Sequence, residues 1–257
     1  MDAAFVSNPV RNLTVEVLQV PLSRPFAWLR RGWRDMRRFW GASLAFGLLI
    51  VAIGWTLLVF CGTHPLFIAA AVSGFMLVGP LMSAGVCEMS RRCSLDQPPP
   101  LAAPADGVGR HNPALLEFGA ILATFALVWF AISAIMLNTV FHVSAAGMPA
   151  TLYEGFFAYA NRPQVLAYIT VGAVLAIAVF LLSAVSVPLI IDRQATAAQA
   201  MRTSIKAVVA NLPAMTLWGA LIVGLTLLGF VPLLAGLVIV APLLGHATWH
   251  AYKDVIR

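Results

Sequence analysis

Long apolar segments with hardly any charge are the feature that most constrains how this chain can fold. Such segments cover residues 40–61, 65–87, 115–137 and 165–191, and another apolar stretch covers 212–249. A helix needs about 20 apolar residues to cross the roughly 30 Å hydrocarbon core of a bilayer, so each segment is long enough. Hydrophobic residues make up 61% of the chain and charged residues only 10%, which no soluble fold could hide from water. The sequence therefore predicts an all-α, polytopic membrane protein.

The last apolar stretch sets the number of spans. A single helix over residues 212–249 would be about 57 Å long at 1.5 Å per residue, nearly twice the thickness of the hydrocarbon core. The tetrapeptide Gly-Phe-Val-Pro at 229–232 supplies a helix breaker in its middle. We therefore expect two short spans, 213–230 and 232–250, and six transmembrane helices in total.

The basic residues fit six spans, because almost all of them then fall on one side of the membrane. Positive residues are enriched in the cytoplasmic loops of membrane proteins, so the N- and C-termini are predicted to lie in the cytoplasm of a bacterial inner membrane. Only Arg162 falls on the other side. The residues on the cytoplasmic side are Arg11, Arg24, Arg30, Arg31, Arg34, Arg37, Arg38, Arg91, Arg92, Arg110, Arg193, Arg202, Lys206, Lys253 and Arg257.

A weak internal repeat groups these spans into pairs. Three span starts carry an aromatic residue followed by glycine in the same register, and three span ends carry Pro-Leu. The starts are 38–47, 110–119 and 210–219, and the ends are 77–85, 185–193 and 239–247. Proline removes a helical hydrogen bond and kinks a membrane helix. The pattern predicts three helical hairpins, kinked at Pro80, Pro188 and Pro242.

These hairpins divide the chain into one membrane domain and a short leading segment. The predicted hairpins cover approximately residues 23–93, 94–195 and 196–257, and together they form a single domain over 23–257. Residues 1–22 are predicted to be an extended N-terminal arm, because "LTVEVLQV" alternates like a strand but has no partner strand visible in the sequence.

Two amphipathic segments, 23–41 and 196–213, precede membrane spans. The first interleaves arginines with tryptophan and phenylalanine, which is typical of a helix lying in the interface with its arginines on anionic headgroups. The alternative is a docking surface for an acidic protein partner. Basic residues at membrane boundaries do not indicate nucleic-acid binding. The residues predicted to face lipid or a partner are Arg30, Arg31, Trp33, Arg34, Arg37 and Arg38.

His246 and His250 are the candidates for metal or haem binding. Their spacing of four residues places both imidazoles on one face of a helix, where they could reach one metal ion. A metal site needs three or four ligands, and no cysteine or carboxylate adjoins the pair in sequence. We therefore interpret the pair as the polar cytoplasmic end of span six, with metal or haem binding as the alternative. The chain carries no nucleotide-binding or nucleophile motif, so we assign no catalytic residues, no cofactor and no enzymatic activity.

Four segments resemble a known family. They are "LRRGWRDM" at 29–36, "GFMLVGPLMSAGVCEMSRR" at 74–92, "VSVPLIIDR" at 185–193 and "PLLGHATWHAYKDV" at 242–255. Together they resemble the bacterial predicted integral membrane proteins called domain of unknown function 2189, over roughly residues 20–257. Some members are labelled putative cytochrome c oxidase, which six predicted spans do not support. The resemblance implies a multi-span inner-membrane protein without an established activity.

Three functional hypotheses follow from the sequence. The leading one is a non-enzymatic scaffold or accessory subunit that binds other membrane proteins or lipids, for example beside a respiratory or assembly complex. The second is a small-molecule or lipid transporter with a groove between the hairpins at the Pro-Leu kinks. The third is a haem- or metal-binding respiratory accessory protein that uses His246 and His250.

Overall fold

The described part of the chain is helical, as the all-α prediction requires. The computed structural model describes residues 15–61, 79–97, 112–136 and 162–257. Within these ranges an isolated antiparallel bridge is the only β-type pairing. The helices are α1 (Arg24–Arg38), α2 (Trp40–Cys61), α3 (Ala84–Ser94), α4 (Pro113–Ile135), α5 (Arg162–Ser183), α6 (Ser186–Arg193), α7 (Ala197–Ala210), α8 (Leu212–Phe230) and α9 (Leu237–Val255).

Four segments in the described ranges are long and apolar enough to cross a membrane. They are Trp40–Leu57, Pro113–Ile135, Leu166–Arg193 and Leu212–Phe230, and they coincide with the first, third, fourth and fifth predicted spans. Most of the second predicted span lies outside the described residues. The sixth, over 232–250, overlaps α9, which is not among these four segments. The count of six spans and the hairpin arrangement thus stay predictions.

The predicted break in the last apolar stretch is confirmed. α8 ends at Phe230, six turn residues follow, and α9 begins at Leu237. The two helices approach closely at a pair of glycines, since a Cβ added to Gly236 would lie 2.8 Å from the Cα of Gly229. Small residues at a helix contact allow such an approach. The chain therefore folds back on itself here.

The three Pro-Leu motifs lie in different helical contexts. Pro188 stands in α6, just after the helix is interrupted between Ser183 and Ser186. Pro80 lies in helical backbone over the described residues 79–82, which a turn at Ser83 separates from α3. Pro242 lies inside the continuous helix α9. Proline leaves the carbonyl four residues earlier without its helical donor, which explains an interruption at one such site.

Helix α9 is the centre of the described bundle, although it is the most polar of the long helices. It packs against α1, α2 and α3 through glycines that bring backbones together. A Cβ added to Gly32 of α1 would lie 2.7 Å from an α9 backbone nitrogen, and one added to Gly47 of α2 would overlap an α9 carbonyl. A Cβ added to Gly245 of α9 would lie 2.8 Å from Val86 of α3. His246 is consequently fully buried, whereas His250 and Asp254 are partly buried and Lys253 is exposed.

The N-terminal arm has a partner that its sequence did not reveal. Val17 forms the isolated bridge with Ile256, and the backbone nitrogens of Glu16 and Leu18 donate to carbonyls of the last three residues. The side chain of Asn211 holds the arm further along, since it accepts from Val20 N at 2.8 Å. The described part of the arm, residues 15–22, is therefore tied to the C-terminus and to the start of α8.

The three predicted repeat starts share a burial pattern. α2, α4 and α8 begin within one residue of the same register. Two equivalent positions of the repeat are buried in all three copies. The first is occupied by Ser43, Leu115 and Met215, and the second by Phe46, Phe118 and Trp218. Each copy thus turns the same face of its helix inward. A threefold repeat remains a prediction, which this agreement supports.

Candidate functional site

Four helices bring polar side chains together beside His246, at the end of the bundle where α9 ends. We call Asp35, Ser43, Ser90, His246 and His250 the His246 cluster. α1 contributes the aspartate, α2 and α3 contribute one serine each, and α9 contributes both histidines. The side chains of Ser43, Ser90 and His246 are fully buried. Because burying a polar group costs free energy unless it is hydrogen-bonded, these side chains need hydrogen-bond partners within the cluster.

The hydrogen bonds of the cluster form a continuous chain. Ser43 Oγ lies 3.0 Å from His246 Nε2, and Ser90 Oγ lies 2.7 Å from His246 Nδ1. Ser90 Oγ also donates to Asp35 Oδ2 at 2.8 Å. The same carboxylate oxygen lies 2.9 Å from His250 Nε2. Both ring nitrogens of His246 are thereby occupied, and every helix of the cluster is linked to another.

The chemistry of these groups determines which atom donates and which accepts in each hydrogen bond of the His246 cluster. An ionised carboxylate can only accept, so Ser90 and His250 both donate to Asp35. Since the only proton of Ser90 is used in this way, its oxygen accepts from His246 Nδ1. In the neutral imidazole the other nitrogen, Nε2, is then an acceptor for Ser43. One consistent arrangement therefore satisfies all of these groups.

The carboxylates at this end of the bundle are held in their charged form. Burial alone would raise the pKa of Asp35, but the hydrogen bonds from His250 and Ser90 outweigh it and hold the pKa below its usual 3.8. Asp254 behaves similarly, because donors from Arg31, Arg24 and Trp28 overcome the effect of burial. The inner faces of α1 and α9 are thus joined by two ionised carboxylates.

The two histidines bind side chains in the structure. His246 uses both nitrogens on serines, and His250 faces Asp35 through Nε2. Within residues 15–61, 79–97, 112–136 and 162–257, no group of three His, Cys, Asp or Glu side chains is arranged to hold a metal ion. Metal or haem binding by this pair stays an untested prediction, and it would require the serines to give way.

The arginines of α1 divide into two groups that the sequence could not separate. Arg31 binds Asp254 at 2.9 Å and Arg38 binds Asp96 at 3.1 Å, so two of the predicted lipid-facing residues pair with acids of the protein. Arg30, Arg34 and Arg37 are exposed and have no ion pair with any described residue. Trp33 is 39% exposed on the same face.

Two acids near the ends of apolar segments, Glu88 and Asp192, have basic neighbours close in sequence. Glu88 binds Arg91 and Arg92 at 2.6 and 2.9 Å, as their spacing on one helix predicts. Asp192 precedes Arg193 in sequence, but these two described residues form no ion pair. Asp192 accepts instead from Tyr252 Oη at 2.7 Å and pairs with Lys253 Nζ at 3.6 Å, both on α9. A contact across helices therefore replaces the local one.

Sequence reasoning missed three members of the cluster, namely Asp35, Ser43 and Ser90. A signal for Asp35 was present, because it shares one helical face with Trp28, Gly32 and Met36, three of the four buried residues of α1. It is also the only acid in a helix rich in arginine. Serines are common in membrane helices, so nothing in the sequence distinguishes the two that bind histidine.

A large apolar cavity lies beside the cluster, between the membrane helices. Its volume is about 840 Å³, within the usual range of ligand pockets. The described residues that line it are mostly apolar. Their hydroxyl groups come from serine and threonine, and none of these residues is charged. Each Pro-Leu motif contributes to the wall, through Pro80, Val187 and Ala241.

Replacing Ser90 by alanine should destabilise the protein by about 1–3 kcal/mol, because Asp35 loses a donor and His246 loses an acceptor inside the bundle. Ser94→Ala on the same helix is the matched control, since that hydroxyl is exposed and donates only to Arg91 O. Thermal unfolding in detergent, followed by tryptophan fluorescence, measures both variants. Equal melting temperatures for the two would show that the cluster does not contribute to stability.

Comparison with known proteins supports the membrane assignment. The family model DUF2189, described as a predicted integral membrane protein, matches residues 67–192. The resemblance predicted from the sequence is thereby confirmed over about half of the chain, and the C-terminal stretch that holds the two histidines lies beyond the match. Neither the search of curated proteins nor that of solved structures found a match.

Proposed function

We propose that this integral membrane protein is a non-enzymatic lipid-binding protein, which holds a long apolar chain in the cavity between its membrane helices. The cavity carries this proposal. Its volume of about 840 Å³ is large enough for a ligand, and none of the described residues that line it is charged. Such a space in a membrane domain is filled most readily by the molecules that surround it, which are lipids.

The dimensions of the cavity favour an elongated occupant. Along α8 its wall runs from Leu212 to Thr226, which is about 21 Å at 1.5 Å per residue. This is longer than one leaflet, which is half of the roughly 30 Å hydrocarbon core. The absence of charged side chains among the described lining residues favours an uncharged, apolar group there. An acyl chain has both properties.

The buried polar groups do not favour a hydrolytic function. Ser90 and His246 lie within hydrogen-bonding distance, but both are fully buried, and the hydroxyl of Ser90 is engaged by Asp35. A nucleophile needs access to its substrate as well as an adjacent base. The scaffold role remains compatible with lipid binding, and purification of the protein with a constant protein partner would support it.

A bulky side chain in the cavity should displace the lipid. Ala176 of α5 lines the cavity and is exposed, so Ala176→Phe can narrow it without disturbing the buried core. We expect the wild-type protein, purified in mild detergent, to retain lipid at a fixed ratio that survives washing. The variant should retain much less, as measured by mass spectrometry of the lipids extracted from each sample.

Ala173→Phe is the matched control, because Ala173 is exposed on the same helix and does not line the cavity. It should retain as much lipid as the wild type. Equal lipid content in the two phenylalanine variants would overturn the proposal, and so would a wild-type protein that loses all lipid on washing. Melting temperatures of both variants show whether either change affects folding.

A further inference from the structure

Helix α1 presents two faces of different chemistry. Its inner face carries Trp28, Gly32 and Met36, which are buried against the bundle. Asp254 of α9 fixes this face, because it accepts from Arg24, Arg31 and the Trp28 indole at 2.7 to 2.9 Å. The helix is therefore docked rigidly on α9, and its rotation about its own axis is set.

The rigid docking turns a second set of residues outward. Phe26 is 56% exposed, and residues 30, 33, 34 and 37 follow it on the same helical stripe. Trp40, at the start of α2, extends the stripe, since its ring meets that of Trp33 edge-to-face with centroids 6.3 Å apart. We call Phe26, Arg30, Trp33, Arg34, Arg37 and Trp40 the outer face of α1.

Charge on this face is of one sign. The three arginines of the outer face have no ion pair with a described residue, whereas the other three arginines on α1 bind Asp254 or Asp96. Asp35, the only acid of the helix, points inward to the His246 cluster. Three cations that have no ion pair with a described residue are thus held beside three exposed aromatic rings.

The position of the outer face of α1, next to a membrane span, indicates what kind of partner it binds. Phe39 alone separates α1 from α2, whose residues Trp40–Leu57 are apolar enough to cross the membrane. The outer face therefore lies where hydrocarbon gives way to headgroups. Tryptophan is favoured at this depth, and each arginine gains about 1 kcal/mol near anionic lipid. An acidic soluble protein would satisfy the charges but would not require exposed rings beside a span.

We propose that the outer face of α1 is a preorganised binding site for the phosphate headgroups of anionic phospholipids. This site is separate from the apolar cavity, which α1 does not line. Its arginines are positioned by the ion pairs on the opposite side of the same helix. It therefore binds headgroups as a fixed surface rather than as a flexible basic segment.

The test uses the whole protein in neutral detergent, titrated with short-chain phosphatidylglycerol or, separately, short-chain phosphatidylcholine. Thermal stabilisation reports binding. We expect phosphatidylglycerol to stabilise the wild type at lower concentration than phosphatidylcholine. In the triple variant Arg30→Gln, Arg34→Gln, Arg37→Gln, the apparent affinity for phosphatidylglycerol should fall roughly tenfold to a hundredfold, as expected for the loss of three cations near a headgroup.

Control variants separate this site from general effects. Arg202→Gln with Lys206→Gln removes two exposed cations from α7 and should leave the response to phosphatidylglycerol nearly unchanged. Ala176→Phe should also keep it, whether or not the cavity holds lipid. Without lipid, the triple variant should melt like the wild type, since its three arginines have no internal partner among the described residues. A triple variant that responds like the wild type overturns the proposal, as does an equal loss in the α7 variant.

Binding of a protein partner to the outer face of α1 predicts a different result for the triple variant. If the outer face served an acidic soluble protein, the triple variant would lose that protein in chemical cross-linking from native membranes while keeping its response to phosphatidylglycerol. This outcome would also overturn the proposal. Raising the salt concentration provides a further check, because headgroup binding through exposed arginines must weaken as their charges are screened.

Discussion

Gly47→Ala should lower the stability of the protein by about 3 kcal/mol, at the upper end of the range for overpacked sites. The added Cβ would overlap the carbonyl oxygen of Val238, a backbone atom that cannot rotate away. Pro242 lies four residues later, so this carbonyl has no helical donor and stands against the glycine. Relief of the overlap requires α2 and α9 to move apart. Thermal unfolding in detergent should show a melting temperature lower by several degrees.

Gly41→Ala supplies the control for this prediction. Gly41 lies in the same helix, and a Cβ built there meets nothing within 4 Å. Alanine is a better helix former than glycine, so this variant should be unchanged or stabilised by about 0.5–1 kcal/mol. If Gly47→Ala unfolds at the same temperature as Gly41→Ala, the close approach of α2 and α9 is not present in the protein.

Asp254→Ala should be similarly severe, with a loss of about 3 kcal/mol, because removing one partner strands the others inside the bundle. Trp28 is fully buried and would lose the acceptor of its indole N–H, and Arg31 would lose its counter-ion. The matched control is Asp96→Asn, because Asp96 has a φ of 53° that asparagine tolerates and alanine does not. The ion pair of Asp96 with Arg38 joins side chains that are 88% and 51% exposed, and pairs of this kind contribute about 0–1 kcal/mol.

The Asp254 prediction carries a pH dependence whose sign follows from the contacts. The donors around Asp254 hold its pKa below the usual 3.8 in the folded protein, so the unfolded chain takes up the proton first as the pH falls. The stabilisation of the folded protein by ionised Asp254 is therefore present above pH 3.8. It is lost as the pH drops through the pKa that Asp254 has in the folded protein. The wild type should therefore lose more stability than Asp254→Ala between pH 5 and pH 2, in unfolding measured at both values. An equal loss would contradict the assigned ion pairs.

The spans were predictable because a single physical quantity decides them. A run of about 20 apolar residues is stable in hydrocarbon whatever its neighbours are, so local composition locates such a helix. Four of the six predicted spans coincide with apolar helices or kinked helix pairs in the described residues. The turn between α8 and α9 was predictable for a similar reason, since Gly229 and Pro232 act on the local backbone.

Helix α9 shows where composition stops being informative. Its histidines and Asp254 give it the character of a boundary segment, yet the structure surrounds these residues with α1, α2 and α3. The partners lie more than 150 positions away in the chain, and only the fold brings them close. The sequence could place the two imidazoles on one helix, but it could not show that serines occupy both nitrogens of His246.

For the basic segment at 23–41, too, the sequence determined one part of the result and the tertiary structure the other. Its sequence determined an amphipathic helix rich in arginine and tryptophan next to a span, because periodicity and composition are local properties. Which arginines remain available was decided by the contact with α9, since Asp254 engages Arg31 and leaves Arg30 outside. The chain by itself thus determined that this is a helical membrane protein. The tertiary structure decided which polar groups are paired inside the bundle and which stay exposed, because that choice depends on long-range contacts that no local pattern contains.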